Sequence, residues 1–110
     1  MYEQSKSFQN FYVAGFKYWD GPFVLGKLKA GKKLTLKPEF DNPADPNAIA
    51  LYYKGTKIGY VPRNQNSVIA QLLYFGHRDV FEAYGMAVDP DKEPWEQVYV
   101  GIRVKDARHE

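Results

Sequence analysis

Lys33 to Val61 reads KLTLKPEFDNPADPNAIALYYKGTKIGYV, and this stretch decides the fold. Lys33-Leu34-Thr35-Leu36-Lys37 alternates polar and apolar residues strictly, which predicts a strand with one face in water. Pro38 ends it, since proline has no N–H to give to a sheet ladder. Asp41-Asn42-Pro43-Ala44-Asp45-Pro46-Asn47 is turn chemistry: two prolines fix φ, and the Asx side chains can bond their own backbone. Ala48 to Tyr53 is apolar on both faces, as a central strand would be. Lys54-Gly55-Thr56 is a hairpin turn into a further strand, Lys57-Ile58-Gly59-Tyr60-Val61.

Toward the amino terminus, Phe8 to Phe16 is expected as a strand carrying Phe11 and Val13 on one face. Asp20-Gly21-Pro22 breaks it, and Phe23 to Leu28 suits a short helix or a strand. Toward the carboxyl terminus, a helix is expected from Asn64–Asn66 to Phe75. Its apolar stripe is Val68, Ile69, Leu72, Leu73 and Phe75, with Asn or Ser as cap and Gly76 as stop. Two closing strands follow. In Val80 to Val88, residues Val80, Tyr84, Met86 and Val88 share a face; in Gln97 to Val104 the inner face is Val98, Val100, Ile102 and Val104. Short strands around one clear helix predict a mainly β fold. The expected architecture is an OB-like, partly open antiparallel β-barrel of about six strands with one or two helices. Residues 8–104 form the expected domain, with flexible termini at 1–7 and 105–110.

Composition agrees. The 110 residues suffice for one hydrophobic core, and 45% hydrophobic with 16% aromatic content is too apolar for a disordered chain. The net charge of +2 permits a polyanionic partner without requiring one. The absence of cysteine removes disulfides, thiolate metal sites and a cysteine nucleophile. With no apolar signal core and no membrane-spanning run, a cytoplasmic protein without a membrane partner is expected. His77 and His109 lie far apart, so no metal site is expected. Asp89-Pro90-Asp91-Lys92-Glu93-Pro94 is a solvated connector. No phosphate-binding loop, dinucleotide fingerprint or nucleophile motif occurs, and neither a cofactor nor a catalytic activity is expected.

Three clusters at turns or strand ends carry usable chemistry: Lys17-Tyr18-Trp19, then Asn42 with Asp45 and Asn47, then Tyr60 with Arg63. Cations neutralise phosphates and release counterions. Aromatic rings stack unpaired bases. A carboxylate is badly placed against a phosphate but suits a free sugar hydroxyl. Each cluster also has an ordinary structural use: a solvated lysine, packed rings, an Asx turn.

Taken together, the chain resembles the HIRAN family. The resemblance rests on Val13-Ala14-Gly15-Phe16-Lys17-Tyr18-Trp19-Asp20-Gly21, on Asp41-Asn42-Pro43-Ala44-Asp45-Pro46-Asn47-Ala48-Ile49, and on Lys57-Ile58-Gly59-Tyr60-Val61-Pro62. It spans roughly Phe8 to Val104. It implies an OB-like barrel that binds single-stranded DNA at a free 3′-hydroxyl end, as this module does in eukaryotic fork-remodelling translocases. Bacterial members stand alone or are fused to nucleases and helicases. By position, Asp45 matches the acid that bonds the terminal 3′ hydroxyl, Asn42 the amide beside it, and Tyr18 an aromatic of the pocket. Lys17 stands where DNA-binding members often have Arg, and Tyr60 where a His occurs. Ala44 departs from the pattern: end-binding members place a stacking Tyr there, and its loss costs about 1–3 kcal/mol.

The expectation is therefore a non-catalytic module for single-stranded DNA, read at its 3′ end by Lys17, Tyr18, Trp19, Asn42, Asp45, Tyr60 and Arg63, with a role in DNA repair and a helicase or nuclease as protein partner. The alternative is a protein-interaction domain that has lost the end site and acts as an accessory to a DNA-processing enzyme, docking it through Tyr18, Trp19, Phe23 and Tyr52.

Overall fold

In the computed structural model, residues 7–108 are described. The expected frayed start Met1–Lys6 and the tail residues His109 and Glu110 lie outside them. Six antiparallel strands run in the order β1-β6-β5-β2-β3-β4. They are β1 (Ser7–Tyr12), β2 (Lys33–Pro38), β3 (Ile49–Tyr53), β4 (Thr56–Tyr60), β5 (Phe81–Val88) and β6 (Val98–Val104). The sheet curls until its two edges touch. Ala14, just past β1, exchanges backbone hydrogen bonds with Tyr60 at the end of β4, at 2.8 and 2.9 Å. The result is a curled half-barrel, mainly β and consistent with an OB-like fold.

The two helices are α1 (Gly21–Val24) and α2 (Ser67–Tyr74). The core lies inside the curl, with Phe11, Ile49, Leu51, Ile58, Val100 and Ile102 buried together against Ile69 of α2.

Several elements differ from expectation, each for a local reason. The first strand stops at Tyr12, because Gly15 takes a left-handed φ of 72° and turns the chain into a 3-10 turn at Phe16–Tyr18. The same glycine frees the loop that carries Lys17, Tyr18 and Trp19. Asp20-Gly21-Pro22 starts α1 rather than ending a strand, with Pro22 in its first turn, where proline's missing N–H costs nothing. A second 3-10 turn, Leu25–Lys27, follows, so the segment after Phe23 is helical. Pro38 lies within β2, opposite Ile49, and pairing continues to the Glu39 N–H on the Ala48 carbonyl at 2.8 Å.

On α2 the buried face is Ile69, Ala70 and Leu73, whereas Val68 and Phe75 face solvent. The helix is short, running only from Ser67 to Tyr74, and of the expected stripe Ile69, Leu72 and Leu73 do face the core. Gly76 does stop it, with its N–H and that of His77 returning to the Leu73 and Leu72 carbonyls. In β5 the core face is Phe81 and Ala83, not the Tyr84–Met86 side. A register shift between Gly85 and Ala87 brings Val88 back to the core. Val104 is exposed at the end of β6, beyond the reach of the core.

Candidate functional site

The loop between β2 and β3 is tied at both ends and inside. Its base is the Glu39–Ala48 pair. Within it, Asn42 Oδ1 accepts from the N–H groups of Ala44 (2.9 Å) and Asp45 (3.3 Å), and Asp45 Oδ1 accepts from the Asn47 N–H (2.9 Å). These Asx bonds fix the loop backbone and aim both side chains.

A second tie reaches across the molecule. Asn66, immediately before α2, is 2% exposed, and its Nδ2 donates to Asp45 Oδ2 at 2.8 Å. Arg63, in the 3-10 turn Arg63–Gln65 after β4, places Nε 3.7 Å from the same oxygen and donates from Nη2 to the Ala44 carbonyl at 3.1 Å. The Asn47 N–H bond, opposed by partial desolvation and aided by Asn66 and Arg63, holds the Asp45 carboxyl below its usual range. Asp45 is therefore an ionised, fixed acceptor near neutral pH.

Tyr60 stands beside this loop because the Ala14 bridge fixes the end of β4. The β3–β4 pairing shifts register between Leu51 and Tyr52, so Ile58 falls in a bulge on β4. Strand side chains alternate with period two, and the extra residue puts Lys57 and Tyr60, three apart, on one face. Lys57 Nζ donates to the Tyr60 hydroxyl at 2.6 Å and to Glu39 Oε2 at 2.8 Å; Tyr60 donates to Glu39 Oε1 at 2.8 Å. Lys57 Nζ also lies 3.7 Å from the Trp19 ring centroid, and the Trp19 and Tyr60 rings meet edge-on at 5.7 Å. Burial pushes the Glu39 carboxyl up, but hydrogen bonds from Lys57, Tyr60 and Asn42 outweigh it and hold it low. For Lys57, burial works downward and the Glu39 and Tyr60 contacts win, raising it.

These elements enclose a cleft of about 230 Å³ lined by Asn42, Asp45, Tyr60 and Arg63, with Ala14, Ala44, Ala48 and Val61 as its apolar wall. Four of the expected site residues thus share one open pocket. Trp19 borders it through Tyr60. Lys17 and Tyr18 stay outside the lining, on the adjacent turn, with Tyr18 80% exposed and Lys17 Nζ 5.9 Å from its ring. The turn Pro94–Glu96 packs against Phe16–Tyr18 and exposes another ring, Trp95.

Sequence reasoning missed Asn66, Glu39, Lys57 and Trp95. For Asn66 a signal existed: it falls in phase with the buried Ile69, Ala70 and Leu73, where an amide needs a partner. Among the described residues, no three His, Asp or Glu side chains gather as a ligand cluster. No helix among them is long and apolar enough to cross a membrane.

A family model described as the HIRAN domain matches residues 6–105. The chain belongs to the HIRAN family. That family is known for DNA binding and its members are generally non-catalytic. Two solved structures are similar. One is a protein from Lactobacillus plantarum, 25% identical, with a TM-score of 0.76 over 94% of this chain and 98% of that one. The other is the HIRAN domain of human HLTF, 15% identical, with a TM-score of 0.66 over 87% of this chain and 73% of that one, a likeness of fold. No curated protein sequence matches. In this HIRAN domain the loop carrying the Asn-Pro-x-Asp-x-Asn motif and the end of β4 meet at the cleft; the Lys17–Trp19 turn flanks it.

Proposed function

We propose that this HIRAN domain binds single-stranded DNA and reads a 3′-hydroxyl end in the cleft between the Asn42–Asn47 loop and Tyr60. The observation that carries the reading is the convergence of Asn42, Asp45, Tyr60 and Arg63 on one pocket. A carboxylate oxygen can accept two hydrogen bonds. Asp45 Oδ1 takes the Asn47 N–H and has acceptor capacity left for a sugar hydroxyl. Arg63, with a largely exposed side chain, supplies the cation for the penultimate phosphate. Trp19, and beyond it Tyr18 and Lys17, offer rings and charge for the strand leading away from its end. A 3′-phosphate would set an anion against Asp45.

Fluorescence anisotropy with matched 3′-hydroxyl and 3′-phosphate oligonucleotides tests this. A hydrogen bond to a charged group contributes about 1.5–3 kcal/mol, so the hydroxyl end should bind roughly 10- to 100-fold more tightly. Asp45→Ala should abolish that preference and leave the salt-dependent backbone affinity largely intact. Equal affinity for both ends in the wild-type protein would defeat end recognition.

A second reading, a protein-interaction domain serving a helicase or nuclease, is favoured by Ala44 and by Tyr18 and Phe23, both over three-quarters exposed, on the Phe16–Tyr18 turn and on α1. It is preferred if no oligonucleotide binds at low salt and a purified partner's binding is lost on Tyr18→Ala with Phe23→Ala.

A further inference from the structure

Glu39 does not line the cleft, yet it touches the residues that do. It follows β2, with a side chain only 22% exposed, and its Oε1 accepts from Asn42 Nδ2 at 3.1 Å and from the Tyr60 hydroxyl at 2.8 Å. Those two donors come from different elements, the β2–β3 loop and β4. Its Oε2 pairs with Lys57, which in turn sits over the Trp19 ring. A mostly buried ion pair of this kind adds little to stability, since desolvation offsets the attraction; an apolar pair would fill the space as well. Its distinctive property is geometric. Asn42 spends its amide N–H on Glu39, which fixes the amide so that Oδ1 serves the loop. The Tyr60 hydroxyl gives its proton to Glu39 and accepts one from Lys57, so Tyr60 turns its ring rather than a hydrogen-bonding group to the cleft.

We propose that Glu39, with Lys57 as its counter-ion, is the positioning residue of the cleft: one carboxylate holds Asn42, Tyr60 and, through Lys57, Trp19 in the arrangement that receives a strand end. This rests on the strand-end reading above.

The test replaces the pair by an apolar one, Glu39→Leu with Lys57→Met, so that no buried charge is left alone, beside Glu39→Gln, which keeps an oxygen acceptor. Each is measured for the ratio of 3′-hydroxyl to 3′-phosphate oligonucleotide affinity. Without DNA, NMR reads the hydrogen exchange of the Asn42 side-chain amide. The apolar pair should lower the ratio about tenfold, the scale of one lost charged hydrogen bond, and expose the Asn42 amide to fast exchange, with the thermal midpoint little changed. Glu39→Gln should restore the ratio to within about threefold of the wild type. Should the double variant not fold, Glu39→Ala carries the same expectation for the ratio and for the Asn42 exchange, with a lower thermal midpoint because Lys57 loses its counter-ion. A folded variant with the wild-type ratio and a protected Asn42 amide overturns the proposal. If the wild-type protein itself fails to discriminate ends, the strand-end reading falls, and the Asn42 exchange alone then decides the role of Glu39.

Discussion

The Asp45–Asn66 contact is the most consequential single pair, because it joins a loop acid to a buried helix-start amide at 2.8 Å. Replacing Asn66 with Ala leaves the carboxylate short of a donor in a half-buried place and should cost about 1–3 kcal/mol of unfolding free energy by chemical denaturation. Asn66→Asp is more informative. Two carboxylates would then face each other, and one of them must hold its proton more tightly. The variant should be destabilised at pH 7 and regain stability toward pH 4–5, opposite in sign to the wild type; a parallel pH profile would refute the contact. Ala44 offers the complementary gain. It lines the cleft together with Tyr60. Ala44→Tyr should add one stacking ring and strengthen oligonucleotide binding by about 1–3 kcal/mol, roughly 5- to 150-fold in the Kd read by anisotropy. No change would mean that bases do not pass over that loop.

At the level of elements, the site depends on where strands stop and bulge. Gly59 has a φ of 149°, and a Cβ there would strike the Val13 side chain and come within 2.5 Å of the Ala14 carbonyl oxygen. Gly59→Ala should therefore spring the β1–β4 bridge and cost on the order of 3 kcal/mol, seen as a lower thermal midpoint and lost amide protection at Ala14 and Tyr60. An unchanged midpoint would mean the sheet edges do not meet there. The strands themselves were legible: strict alternation in Lys33–Lys37 and the apolar run of Ile49–Tyr53 need no tertiary information. The Asx loop was legible too, because its bonds are local. What the chain could not announce was the bulge in β4. A one-residue slip reverses which side chains share a face, and it alone brings Lys57 to Tyr60. Nor could spacing tell that Gly21-Pro22 opens a helix, since the same dipeptide marks turns. Asn66 reads as a cap until the Asp45 loop is folded over it. Local chemistry was readable; long-range partners were not.

For the whole molecule, the acids of the site have lowered proton affinity and its lysine and tyrosine raised affinity. Asp45 and Glu39 contribute stability that is present above about pH 4–5, the unfolded range, and lost as pH falls through their lower folded values. Lys57 and Tyr60 contribute stability present below about pH 10 and lost as pH rises through their higher folded values. Their joint contribution should be flat between about pH 5 and 10, and a denaturation series against the apolar Glu39→Leu with Lys57→Met variant would expose any slope in the Glu39–Lys57 share. The small net charge sets the salt response. If two or three cations meet phosphate, single-strand affinity should fall only about tenfold between 50 and 200 mM salt, far less than for a strongly basic protein. The most direct measurement is an amide NMR titration with a short single-stranded oligonucleotide bearing a 3′ hydroxyl. Shifts concentrated at Asn42–Asn47, Tyr60 and Arg63, spreading to Lys17–Trp19, are the predicted result; shifts confined to the far side of the barrel, or none at low salt, would contradict it.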